Sequence, residues 1–113
     1  MSDSLTPSRH VCYLSQQAAE KAIKSILVFL QIDFPFTHDL DRLRGLVPAD
    51  WEVSSGHEYL ADLSEWVAQS RYPGDWTEPN DDDAQIALAQ AQAVVVSVER
   101  DFRGRGVLGA DVE

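Results

Sequence analysis

The stretch from Cys12 to Leu30, CYLSQQAAEKAIKSILVFL, leaves this chain few ways to fold. Wound at about 100° per residue, it places Val11, Ala18, Ala22, Ile26 and Phe29 on one side, with Cys12, Ala19, Ile23 and Leu30 beside them. Gln16, Gln17, Glu20, Lys21, Lys24 and Gln31 gather opposite. Roughly half the circumference is apolar, wider than a two-helix seam requires, so the helix belongs in the core of a bundle. Thr6 and Pro7 suit the N-cap and first helical position. The helix is expected to run to about Gln31 and to stop before Phe34-Pro35, because the residue before a proline is pushed out of helical geometry. Glu20 and Lys24 have the acid-before-base spacing that favours a helix surface pair. Tyr13, Leu27 and Val28 break the pattern by pointing into the polar arc, which predicts a second partner such as another subunit.

The remaining chain reads as shorter helices and connectors. Thr37 suits the N-cap of a second helix with Leu40, Leu43 and Val47 at core spacing, limited by Gly45 and Pro48 to about three turns. Pro48 to Ser54 is a connector with room for one helical turn near Asp50 to Glu52. Ser55-Gly56-His57-Glu58 has capping-box spacing, and Tyr59, Leu63, Trp66 and Val67 give the third helix its apolar stripe. Arg71-Tyr72-Pro73-Gly74 is a turn sequence, followed by a surface loop carrying Trp76. The fourth helix begins near Asn80 or Asp81, with Asp81, Asp82 and Asp83 complementing its dipole. From Ala84 to Phe102 it is apolar nearly all round, with Gln85, Gln92, Glu99 and Arg103 in one narrow polar stripe. Gly104-Arg105-Gly106 stops it. No strand alternation or repeat occurs, so the chain reads as all-α: one domain with a core over about residues 6–103 and a flexible tail over 104–113.

Composition narrows the function. The formal net charge is −10, and between Asp50 and Asp83 ten acidic residues accompany a single base, Arg71. Non-specific nucleic-acid binders carry a basic stripe instead. Lys21, Lys24, Arg42 and Arg44 form a basic patch if the first two helices present them together. The lone cysteine, Cys12, has no partner for an internal disulfide and lies beside the apolar arc, as a buried inert thiol would. No zinc-ligand spacing exists, and neither metal nor cofactor is expected. No signal-peptide pattern and no bilayer-length apolar run is present, so the expected location is the cytoplasm.

QQAAEKAIKSILVFLQIDFPFTHDL resembles the central signature of HEPN domains, the higher eukaryotes and prokaryotes nucleotide-binding helical family. The Gln-Gln-Ala-Ala-Glu-Lys-Ala-x-Lys run, the Thr-His-Asp-Leu after a short loop, Arg71-Tyr72-Pro73 and an Ala-rich closing helix follow in the family's order, roughly from Cys12 to Phe102. The resemblance implies an up-and-down antiparallel bundle. Family members carry a further helix before the Gln-Gln helix, and a bundle short of that wall is expected to form a homodimer. It also implies a small nucleotidyltransferase partner, in a toxin–antitoxin-like or nucleotide-sensing pair.

Candidate ligand-binding residues for nucleotide or phosphate are Arg71, Tyr72, His38, Lys21 and Lys24. Arg71 can fork onto phosphate while Tyr72 stacks or hydrogen-bonds; the plainer reading pairs Arg71 with an acid such as Asp75. His38 is a potential base or nucleotide contact, or else simply holds its loop against the first helix. His10 and His57 sit in first turns and read as solvated. The Asp81–Asp83 run suits a cap better than a magnesium site. Ribonucleases of the family place a His after an Arg with four to six residues between. Here those windows hold Trp76, Thr77 and Glu78 after Arg71, Val47, Pro48 and Ala49 after Arg42, Ala49, Asp50 and Trp51 after Arg44, and Leu14, Ser15 and Gln16 after Arg9. No catalytic residues are therefore assigned. Three functions remain open: a nucleotide- or partner-binding HEPN protein, a ribonuclease toxin with an atypical site of Arg71, Tyr72 and His38, and a ligand-free helical interaction module.

Overall fold

A computed structural model describes residues 7–57, 60–70 and 79–106. Among these residues four helices follow in order: α1 (Pro7–Phe29), α2 (Leu40–Arg44), α3 (Leu60–Ser70) and α4 (Asp81–Gly104), with a 3-10 turn at Glu52–Ser54. The fold is all-α, and no strand occurs among the described residues. α1 packs most extensively against α4 and next against α3. Cys12, Ala19, Ile23, Ile26 and Leu27 from α1 meet Leu60 and Leu63 from α3 and Ala87, Ala91, Val94 and Val98 from α4. Among the described residues, no helix is long and apolar enough to cross a membrane.

α1 is helical from Pro7, the first described residue, with its expected N-cap Thr6 outside the described residues, and it ends at Phe29 rather than Gln31. Gln31 adopts a left-handed conformation, φ 60°. Its N–H donates to the Val28 carbonyl at 3.0 Å, and the Ile32 N–H to that of Leu27 at 2.8 Å. This pair of bonds is a Schellman motif, which satisfies the last helical carbonyls before Pro35 can act.

The buried arc of α1 is rotated from the predicted one. Gln16 and Glu20, expected in solvent, are 0 % and 5 % exposed, and Leu27, expected to await a second partner, is fully buried inside this chain. Leu14, Ala18 and Phe29 face outward instead, and Val28 is exposed as expected. The reason lies at 20° on either side of Glu20, where Leu27 and Tyr13 fall: that edge is mixed, and α1 buries it under the 34–38 loop.

α2 is shorter than its spacing suggests. Asp39, not Thr37, is its N-cap, its side chain accepting the Asp41 and Arg42 N–H groups. Thr37 Oγ1 accepts the Asp39 N–H one step earlier. Leu40, Leu43 and Val47 are nevertheless core residues. The Leu40 N–H donates to Ser64 Oγ on α3 at 2.8 Å, which fixes the short helix across the bundle.

The predicted turn in the connector is the 3-10 turn at Glu52–Ser54, and α4 holds it. Glu52 takes a fork from Arg100 at 3.2 and 2.8 Å, and its N–H donates to Asp101 at 2.6 Å. Arg105 stacks on Trp51 at 3.7 Å, and Phe29, Trp51 and Phe102 meet edge to face. The Arg105 side chain thus packs against the connector. Asn80 and Asp83 form a reciprocal capping box at the start of α4. His57, expected in solvent, is half-buried with Nε2 3.3 Å from Ser97 Oγ. Burial, with help from the Arg44 charge, lowers its pKa despite Glu52.

Candidate functional site

Arg71 and Tyr72, with Tyr59, Trp76 and the side chain of Val67, lie outside the described residues. The other three candidates lie on or beside the mixed edge of α1. Lys21 is exposed, whereas Lys24 and His38 both turn to Glu20. Glu20 Oε2 accepts from Lys24 Nζ at 2.7 Å. Oε1 lies 2.8 Å from His38 Nδ1 and accepts from Gln16 Nε2 at 3.1 Å. Gln16 Nε2 also donates to the His38 carbonyl at 2.9 Å, and Gln17 Nε2 donates to Gln16 Oε1 at 2.7 Å. Helical spacing makes this possible, because Gln16, Glu20 and Lys24 stand at i, i+4 and i+8 along one line of α1.

The chemistry of this network follows from its acceptor. Burial alone raises the Glu20 pKa, but the hydrogen bonds from Lys24, His38 and Gln16 outweigh it and leave the carboxyl below the usual glutamate range. An ionised carboxylate only accepts, so it selects the His38 form with a proton on Nδ1. Such a pairing orients an imidazole, as acid–base sites require. Lys24 shares the same carboxylate, however, and its charge is spent there rather than held out for phosphate. The network closes the 34–38 loop onto α1. Arg44 is likewise paired, to Asp41 at 2.7 Å, so two of the four bases in the predicted basic patch face a carboxylate.

The opposite edge of α1 carries the feature that sequence reading missed. Between α1 and α4 runs a groove of about 460 Å³, lined by Val11, Leu14, Ser15, Ala18, Leu88, Ala91, Gln92, Val95 and Val96. Ser15 is 4 % exposed, and its Oγ has no hydrogen-bond partner among the described residues. The available signal was the excess width of the apolar arc, of which Ala18 stays exposed and Val11 only partly buried. Cys12 lies inside, with its thiol pushed up to about 11 by burial and next by the Asp83 charge, and is inert. Among the described residues no group of three His, Cys, Asp or Glu converges as a metal site. Asp83 caps α4 and Asp81 accepts from Ser8 Oγ at 2.8 Å.

The family model of the HEPN domain matches residues 7–101. The chain belongs to the HEPN domain family. No curated protein and no solved structure matches it. In this HEPN domain the Gln-Gln-Ala-Ala-Glu-Lys run and the Thr-His-Asp-Leu that carry the resemblance are physically one unit: Gln16 and Glu20 bind His38, and Asp39 caps α2.

Proposed function

We propose that this HEPN domain works by binding rather than by cleavage, alongside a small nucleotidyltransferase in a cytoplasmic toxin–antitoxin-like pair. The observation that supports this reading is the α1/α4 groove. An open apolar channel suits a protein contact, whereas a phosphate chain is bound by neutralising its charges. The absence of an Arg–His pair at the ribonuclease spacing agrees with it, as does the engagement of His38 and Lys24 by Glu20. Mixed with a nucleotidyltransferase encoded beside it, the protein should co-elute as a complex; separate elution rejects the pairing. Incubated alone with structured and unstructured RNA, it should leave both intact. Cleavage that an Arg71→Ala, His38→Ala double variant lacks would replace this reading with the ribonuclease one.

One observation favours a nucleotide as an additional ligand. Phe36 is 97 % exposed, with its ring 6.2 Å from His38, on the loop that Glu20 holds down. An exposed aromatic is a stacking platform worth about 1–3 kcal/mol per base. In this reading Arg71, Tyr72 and Lys21 supply phosphate contacts. Titration calorimetry of a nucleotide panel should then give heats that Phe36→Ala and Arg71→Ala each remove; heats unchanged in both variants discard it.

A further inference from the structure

The position of one proton on His38 decides which bases suit the Phe36 platform. We propose that Phe36 and His38 form a base-reading pair that takes adenine or cytosine and rejects their keto counterparts, hypoxanthine and uracil, with Glu20 as the positioning residue that sets the choice. The inference rests on the nucleotide reading above and names the class of base.

The tautomer argues first. A neutral imidazole carries a single proton, on one nitrogen or the other. His38 Nδ1 lies 2.8 Å from Glu20 Oε1. Burial opposes ionisation of Glu20, but the hydrogen bonds from Lys24, His38 and Gln16 outweigh it and hold the carboxyl below the usual glutamate range. A carboxylate offers lone pairs and no proton, so the imidazole proton sits on Nδ1 and Nε2 keeps a lone pair. The backbone beneath the ring is fixed on both sides. Gln16 Nε2 donates to the His38 carbonyl at 2.9 Å, and the Asp39 N–H donates to Thr37 Oγ1 at 3.1 Å.

Access argues next. The His38 side chain is 34 % exposed while that of Glu20 is 6 % exposed, so the pair has a buried anchor and an open ring. Nε2 has no partner among the described residues. Neighbouring charges are turned elsewhere, Lys24 to the second Glu20 oxygen and Asp39 to the Asp41 and Arg42 N–H groups. The nitrogen that the network does not use is therefore a hydrogen-bond acceptor.

Placement argues last. The exposed Phe36 ring lies 6.2 Å from the His38 ring and is tilted 57° to it. A flat base stacked on Phe36 thus turns more edge than face to the imidazole. On that edge adenine has its N6 amino group and cytosine its N4 amino group, both donors, where the keto bases carry an oxygen. An oxygen there meets the Nε2 lone pair, acceptor against acceptor. Stacking is tolerant of base identity, so Phe36 supplies affinity and His38 selectivity.

The test titrates the full chain with adenosine, inosine, cytidine and uridine monophosphates, followed by amide chemical shifts at about pH 8, where an ordinary imidazole is neutral. The adenine nucleotide should bind about tenfold more tightly than the hypoxanthine one, and the cytosine nucleotide about tenfold more tightly than the uracil one. Phe36→Ala should remove binding of all four. His38→Ala should bring each amino base down to its keto counterpart. In Glu20→Gln the amide can donate to Nδ1 and send the imidazole proton to Nε2, so the preference should vanish or invert while circular dichroism stays helical. The nitrogen NMR spectrum of His38 should show the proton on Nδ1 in the parent and on Nε2 in that variant, a change that a purely structural glutamate does not require. If Glu20→Gln fails to fold, the parent spectrum and His38→Ala decide. Equal affinities within both pairs overturn the inference and leave the nucleotide reading standing. So does a preference that His38→Ala or a folded Glu20→Gln retains, or a parent His38 protonated on Nε2 alone. Absence of binding by all four nucleotides overturns both.

Discussion

The two edges of α1 treat their residues in opposite ways. On one, Gln16, Glu20, Lys24 and His38 are types that suggest chemistry, and every one of them is engaged by another. On the other, Val11, Leu14 and Ala18 are types that suggest core, and they line an open groove beside an unpaired Ser15 hydroxyl. A polar network closed on itself holds a loop, while an apolar face left open invites a partner. Residue type alone would have assigned the two edges the other way round.

The same substitution at two leucines of α1 tests that contrast most severely. Leu27→Ala removes a fully buried side chain and should cost about 3 kcal/mol in denaturant titration. Leu14→Ala, at a half-exposed groove position, should stay within about 0.5 kcal/mol for the monomer. Comparable losses at both would mean that the groove edge is core after all.

Glu20→Gln tests whether the polar edge is structural. The variant keeps the shape but removes the charge that faces Lys24 and His38, and should lose about 2 kcal/mol. The sign with pH follows from the depressed carboxyl. The stabilisation is fully present above the unfolded glutamate pKa and is lost as pH falls through the lower folded value. Thermal melts of the parent should therefore weaken on acidification more steeply than those of Glu20→Gln. Parallel curves would deny the network its role.

Ser15→Ala sharpens the other side. Removing an unsatisfied buried hydroxyl should stabilise the monomer by about 1 kcal/mol, readable as a higher melting temperature at low protein concentration. The smallest effect lies outside both edges and calibrates them. Gln31 occupies a left-handed position, where glycine has no steric penalty, so Gln31→Gly should gain about 0.5 kcal/mol.

Sequence reading reached the fold because it depends on periodicities that no neighbour can disguise. The Asn80 cap, the Leu40, Leu43 and Val47 spacing and the apolar α4 are each visible in a single element. It failed where two elements meet. Glu20 looks like a surface acid until the 34–38 loop folds over it, which depends on the Gln31 turn directing the chain back along α1. The position of α2 turned on which of Thr37 and Asp39 caps the helix, and the two compete at adjacent turns. The groove is harder still, because it consists of the part of an apolar arc that α4 does not cover.

The charge-free length of α4 has a consequence for the chain before it folds. Val94-Val95-Val96-Ser97-Val98 is a run of β-branched residues with one small serine and no proline. In an extended conformation such a segment is a template for cross-β stacking, the route to amyloid. Helix α4 keeps it from that role by hiding Val94, Ser97 and Val98 against the other helices. Charges stand guard outside it, Asp81 to Asp83 upstream and Glu99, Arg100 and Asp101 immediately after. Val96 remains half-exposed in the folded protein. A partner seated in the groove would also withhold this aggregation-prone segment from other unfolded molecules, so destabilised variants of α1 should expose it.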